Sequence, residues 1–181
     1  MKKRILSLAL SAAMALTMLP TGAFAASDKG KPPVYNKATG CYEISTPDQL
    51  LYLSGSWRDG APRDGHYVLT ADIDMTGVKG FKPIASKKDQ GFTGTFDGQF
   101  HAIKGLRVEY EKKYAGLFGY VGNQDDQAYI KDVALLDCYV TGQQNVGALA
   151  GVNYGTITGC VVTGEVKCLD LSNSHTAGGI C

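Results

Sequence analysis

Asp72 and Asp74, in the run Ala71-Asp72-Ile73-Asp74-Met75, are two carboxylates whose spacing could do chemistry. In an extended segment, residues two apart project from one face. Such a pair could ligate calcium through hard oxygen donors or divide acid and base roles in glycoside cleavage. Aspartates in turn-rich sequence also cap nearby backbone N–H groups. That capping role is the expectation here, with calcium and catalysis as the alternatives. No catalytic residue and no cofactor site is assigned.

Other candidates are dispersed. Asp125 and Asp126 sit in Gly122-Asn123-Gln124-Asp125-Asp126-Gln127, which lacks the spacing of a calcium-binding helix–loop–helix, and reads as a solvated loop. His66, His101 and His175 show no H-E-x-x-H pattern, and no serine stands in a G-x-S-x-G elbow. There is no C-x-x-C pair to suggest zinc. Of five cysteines, Cys138, Cys160 and Cys181 lie in apolar runs, where a free thiol behaves as a small buried hydrophobe. A Cys138–Cys160 bridge is the alternative. Ten tyrosines include Tyr110, Tyr114, Tyr120, Tyr129, Tyr139 and Tyr154. Those facing outward could stack on sugars or anchor a protein partner, and Tyr139 and Tyr154 are the candidate ligand contacts.

These side chains must be carried by a repeating frame. Ile103-Leu106-Val108, Ile130-Val133-Leu135 and Ile157-Cys160-Val162 share one spacing, 27 residues apart on both steps. Ala115-Gly116-Leu117-Phe118-Gly119, Val146-Gly147-Ala148-Leu149-Ala150 and Ala177-Gly178-Gly179-Ile180-Cys181 recur at a shift of 31. Periods of this length signal stacked coils that bury their apolar faces only against one another. Short apolar runs broken by Gly and Asn turns read as strands rather than helices. All six prolines lie at or before Pro83, as expected where every later backbone N–H joins a ladder. The fold predicted is all-β, a parallel β-helix, with Ile103, Ile130 and Ile157 in one inward column. The match of Cys138-Tyr139-Val140-Thr141-Gly142 with Cys160-Val161-Val162-Thr163-Gly164 offers a competing register of 22. The register of 27 is preferred because it repeats.

Residues 1–25 read as a signal peptide: Lys2-Lys3-Arg4, an apolar stretch, then Ala23-Phe24-Ala25, with cleavage between Ala25 and Ala26. The apolar stretch is too short to span a bilayer comfortably, and no second one follows. Loss of Lys2, Lys3 and Arg4 leaves 15 basic against 17 acidic side chains. They are scattered, without the basic stripe that nucleic-acid binding needs. Residues 26–39 read as a flexible leader. Thr46-Pro47-Asp48-Gln49 is a helix start, with a hydroxyl cap, proline at the first helical position and Gln three residues after the cap. The short helix it opens is expected to cap the first coil. Residues 40–181 form the β-helix, which is expected to be truncated at its C-terminal end because Gly178-Gly179-Ile180-Cys181 stops inside a recurring frame.

Tyr-Val-Leu-Thr-Ala-Asp-Ile-Asp-Met at 67–75, Phe-Thr-Gly-Thr-Phe-Asp-Gly at 92–98, His101-Ala102-Ile103-Lys104-Gly105-Leu106, and Gly116-Leu117-Phe118-Gly119 together resemble GLUG-motif bacterial surface proteins. Gln99-Phe100 and Ala148 depart from the usual pattern. The resemblance implies a β-solenoid outside the cell, adhesin-like or of the kind found beside immunoglobulin A peptidases, and brings no activity for the repeat itself. The function expected is a non-enzymatic, secreted, surface-exposed module whose partner is a host or cell-wall glycan or a protein. The alternatives are a carbohydrate-active β-helix enzyme using Asp132, Asp137, Lys104, Arg107 or Lys131, or an accessory region of a larger secreted peptidase.

Overall fold

The computed structural model describes residues 30–55, 61–170 and 177–180. The expected signal peptide with its expected Ala25–Ala26 cleavage point, His175 and Cys181 lie outside the described residues. About half of the chain is strand, wound into a β-solenoid of about four turns. The first pass holds β1 (Val34–Asn36), β2 (Cys41–Ile44) and helix α1 (Pro47–Leu53), and the second holds β3 (His66–Leu69) and β4 (Ile73–Asp74). The third contributes β5 (Thr95–Asp97), β6 (Ala102–Lys104), β7 (Arg107–Ala115) and β8 (Phe118–Val121). β9 (Tyr129–Lys131), β10 (Ala134–Gly147) and β11 (Ala150–Asn153) follow, then β12 (Thr156–Thr158), β13 (Val161–Cys168) and β14 (Ala177–Gly178).

Three sheets make the walls. The first stacks β2-β3-β5-β9-β12 in parallel, with β1 antiparallel on its outer edge. The second stacks β4, β6, β10 and β13, with β7 and β14 also paired to β10. The third pairs β8 with β11, and single bridges Gly55–Ile84 and Ile84–Phe118 extend it backwards. The strands of the first and third sheets are short, three or four residues long, because the chain must turn a corner within a few residues. In the second sheet β7, β10 and β13 run for nine, fourteen and eight residues. The corners use left-handed backbone: Asp132 (φ 53°) lies next to Gly159 (φ 62°) one turn on, and Gly105 (φ 67°) donates to Leu136 O beside Asp137 (φ 53°). Gly and Asp are the residues that tolerate this region.

The inward columns are apolar. Tyr42, Tyr67, Phe96, Ile130 and Ile157 stack along the first sheet, and Ile73, Ile103, Leu135 and Val162 along the second. The predicted single isoleucine column is therefore corrected. Ile130 and Ile157 do stack, but Ile103 belongs to the other wall and pairs with Leu135. The turn from Phe96 to Ile103 is two residues longer than the turn from Ile130 to Leu135, and Gln99 and Phe100 both take positive φ there. A spacing of 27 between two walls thus imitates a spacing of 27 between two coils. The step from β9 to β12 is 27 as expected, and the glycine frame keeps its 31, with Val146 opposite both Ala115 and Ala177. The register of 22 is absent: Tyr139 pairs with Glu165. Cys138 stands opposite Gly164, and Val161 N–H reaches Val133 O, so Cys160 stacks near Val133. Cys41, Cys138, Cys160 and Cys168 are free thiols.

The helix forms where the sequence placed it. Thr46 caps it by accepting from Gln49 N–H, and Gln49 Oε1 accepts Ser45 N–H in return at 2.7 Å. It follows β2 at the place in the coil that β4 takes one turn later, so Leu50, Leu51 and Leu53 close the apolar interior there. Within the stretch expected to be a loose leader, Val34–Asn36 forms β1 and covers the free edge of β2. Tyr35 and Tyr42 pack at 4.9 Å across that pair, and Tyr42 stacks on Tyr67 at 5.2 Å, so aromatic pairing fixes the segment.

Ile130 is fully buried between Phe96 and Ile157. Ile130→Ala is expected to lower unfolding free energy by about 2–5 kcal/mol in urea titration, whereas Tyr129→Ala, on the outer face, should change it by less than about 1 kcal/mol.

Candidate binding face

On the outer side of the second sheet, three strands bring Arg107, Tyr139 and Glu165 side by side, with Lys167 two residues beyond Glu165. The Arg107 guanidinium lies over the Tyr139 ring, 4.3 Å from its centre, and Lys167 Nζ approaches the same ring to 5.3 Å. A cation over an aromatic face is held by the ring quadrupole. Each cation is also tied within its own strand, Arg107 to Glu109 and Lys167 to Glu165, both at 2.7 Å. These hydrogen bonds lift the Arg107 and Lys167 pKa values above the ordinary and hold Glu109 below the carboxylate range. The result is a flat, charged surface centred on one ring whose orientation is fixed by its neighbours.

Beside this surface runs an open groove of about 730 Å³, bordered by Lys82, Lys87, Glu109, Tyr110, Glu111 and Lys112. Lys82 and Lys87 come from the loop before β5, and Tyr110 and Lys112 from β7. Sequence reasoning missed the groove, because its walls are contributed by segments more than twenty residues apart with no shared motif.

Tyr154 stands elsewhere, just after β11, and is 48% exposed. Its ring stacks on Tyr120 at 5.8 Å, and Tyr120 meets Tyr114 edge-on at 5.1 Å. Burial and the adjoining Tyr154 hydroxyl push the Tyr120 phenol up to about 12. The structure thus places Tyr139 and Tyr154 on different faces, as two separate aromatic features.

The carboxylate pair is occupied locally. Asp72 Oδ1 accepts Ala102 N–H and meets His101 Nδ1, each at 3.0 Å, tying one coil to the next. Asp74 Oδ1 accepts Thr76 N–H at 2.9 Å. Asn123 Oδ1 organises the acidic loop by accepting the N–H groups of Asp125 and Asp126. The residues of the enzyme alternative do not gather. Asp132 sits at a corner and Asp137 at the bulge within β10, both with left-handed backbone, Lys131 is paired with Asp97 at 2.7 Å, Arg107 serves Tyr139, and Lys104 lies near Asp74. Among the described residues no three His, Cys, Asp or Glu side chains are grouped to hold a metal. No described helix is long and apolar enough to cross a membrane.

No family model matches the chain. It is similar to halomucin of Haloquadratum walsbyi, 34% identical over 149 residues, covering 77% of this chain and 2% of halomucin. It is also similar to a protein named "Putative Gly-rich membrane protein" from Evansella cellulosilytica, 33% identical over 101 residues, covering 51% of this chain and 11% of that protein. The chain therefore spans only a small part of the length of both relatives. Among solved structures, a protein described as a putative immunoglobulin A1 protease from Bacteroides ovatus superposes with a TM-score of 0.53 at 21% identity, over 68% of this chain and 38% of that one. That likeness is one of fold.

The two bonds received by Asp72, from Ala102 N–H first and His101 second, hold its carboxyl below the usual range. Its contribution is complete above the ordinary carboxylate value of about 3.9 and is lost as pH falls through the lower folded-state value. Asp72→Asn is expected to flatten the acid side of the stability–pH curve, by a small amount because the group is exposed. Calcium is expected to leave the melting temperature unchanged, since both carboxylates already serve backbone donors; a rise abolished in Asp72→Asn and Asp74→Asn would restore the metal reading.

Proposed function

We propose that this chain is a non-enzymatic module of a bacterial cell-surface protein, a GLUG-like β-solenoid that is exported and presents an adhesive outer face to a glycan or protein partner. The observation that carries this reading is the Tyr139 ring held between Arg107 and Lys167 on adjacent turns. A preset aromatic platform suits recognition of an extended ligand, because the ring gives contact area with little ordering cost on binding. The groove beside it, lined by Lys82, Lys87 and Lys112 together with Glu109 and Glu111, offers charged partners of both signs to a polar ligand such as a polysaccharide. The sequence likeness to halomucin and to a Gly-rich membrane protein supports a place at the cell surface. Among the described residues no acid, base and nucleophile gather on one outer face, so the geometry does not favour the carbohydrate-active alternative.

A second reading, an accessory region of a larger secreted peptidase, is favoured by the superposition on part of a putative immunoglobulin A1 protease. In that reading the same face would dock a peptidase substrate rather than a surface glycan.

Binding to a glycan array that includes acidic polysaccharides is expected, and Tyr139→Ala should weaken it about tenfold, the scale of a hot-spot truncation. Tyr154→Ala is expected to have a smaller effect. Binding unchanged in both variants removes the aromatic platform, while binding to immunoglobulin with none to glycans moves the module to the peptidase reading.

A further inference from the structure

Three tyrosines that take no part in the Tyr139 face gather at the third sheet. Tyr120, on β8, is 4% exposed, and Tyr154, one turn later, stacks on it at 5.8 Å with 25° between the ring planes. Tyr114 meets Tyr120 edge-on at 5.1 Å. It does so from left-handed backbone (φ 68°), where the next turn has Asn145 (φ 52°). Asparagine tolerates that region and a bulky aromatic rarely does. A strained tyrosine is therefore held against Tyr120.

The wall that carries this cluster is the thinnest of the three. β8 and β11 make a two-stranded sheet, extended backwards only by single bridges, whereas the first sheet has six strands. Tyr120 and Tyr154 belong to adjacent turns of this wall and lie 34 residues apart along the chain. The half-exposed Tyr154 is within reach of an oxidant in solution. The buried Tyr120 ring is open to Tyr154 and closed to a tyrosine of another molecule, so coupling between them is intramolecular.

We propose that Tyr120 and Tyr154 are the site of an oxidative cross-link, a dityrosine bond that staples one turn of the third wall to the next. The co-reactant is hydrogen peroxide, used by a haem peroxidase. Tyr154 loses a hydrogen atom first, and its phenoxyl radical takes the hydrogen atom of the adjoining Tyr120 hydroxyl. Burial keeps that hydrogen on the Tyr120 phenol until it is taken. Tyr154 is then oxidised a second time. The two radicals pair through the ring carbons beside the hydroxyls and form one C–C bond. The hydrogens on those two carbons pass to the oxygens, which restores both phenols. One hydrogen peroxide accepts the two hydrogen atoms and leaves as two water molecules. The bond restricts the unfolded chain as a disulfide of the same span does. Tyr35 and Tyr42 also adjoin, at 4.9 Å, but they are seven residues apart across one hairpin and tilted by 50°, so a bond there restricts little.

Treating the purified chain with hydrogen peroxide and a haem peroxidase tests this. Blue dityrosine fluorescence is expected in a product that stays monomeric on a denaturing gel, with an intact mass lower by two hydrogens. Its yield per molecule should not change on dilution, and peptide mapping should join Tyr120 to Tyr154. The melting temperature of the product should exceed that of the untreated chain. Tyr120→Phe and Tyr154→Phe keep both rings and so the fold, and each should abolish this linkage, while Tyr139→Phe should leave it intact. Cross-linking found only between molecules, a bond mapped to Tyr35 and Tyr42 with none at Tyr120, or a monomeric product that persists in both Tyr120→Phe and Tyr154→Phe overturns the proposal. None of these outcomes depends on whether the Tyr139 face binds a glycan.

Discussion

Every wall of this molecule depends on the parallel backbone ladder, in which each pass of chain receives its hydrogen bonds from the pass before and offers its own to the pass after. Ile130 N–H and C=O groups, for example, lie between β5 and β12, and the same strand sets its side chain in a column with Phe96 and Ile157. The ladder forces equivalent positions of successive turns into register at about 4.8 Å. It therefore makes the interior a set of columns rather than a pool of side chains. Columns of Tyr, Phe, Ile, Leu and Val supply the stabilisation, since burying each such side chain is worth roughly 1.5–3 kcal/mol.

The ladder constrains walls and leaves corners free, which explains where the chain is irregular. The turn that carries Gln99 and Phe100 is longer than its counterpart one turn later, and Phe100 is 82% exposed on left-handed backbone. The insertion leaves the flanking columns intact because Phe96 still meets Ile130 and Ile103 still meets Leu135. Similarly, Cys168 pairs with Gly142 and Ala177 with Val146, so the register against the continuous β10 passes from 26 to 31 between β13 and β14. A β-bulge between Leu135 and Cys138 absorbs one residue within a wall.

The same stacking determines what the outer surface can offer. Outward side chains on neighbouring strands are as close as inward ones, so Arg107, Tyr139 and Lys167 make a ladder of cation, ring and cation without any turn or loop to hold them. Asp97 and Lys131 do the same on the first sheet. A solenoid thus builds a recognition surface from widely separated residues at little conformational cost, and its rigidity comes from the core behind it. This is why the functional reading rests on a face rather than on a cleft, and why Asp72, Asp74 and Asp97, each accepting a backbone N–H, contribute to the frame.

The repeat spacing, the glycine frames, the loss of proline after Pro83 and the Thr46-Pro47 helix start were enough to establish a β-helix with a short helix near its beginning, because these depend on local backbone preferences and on a period that survives along the chain. Asp72 and Asp74 were legible as caps for the same local reason, though the partner of Asp72, Ala102 on the next coil, was not. Which isoleucines stack was decided only in three dimensions. The sequence reports spacing along the chain, and a two-residue difference in one corner converts an equal spacing into membership of a different wall. The ordering of β1 by Tyr42, the groove between the loop before β5 and β7, and the pairing of Tyr139 with two cations were likewise invisible, since each joins residues from separate turns. Local chemistry fixed the kind of coil; the lengths of its corners, summed around the solenoid, determined which side chains meet.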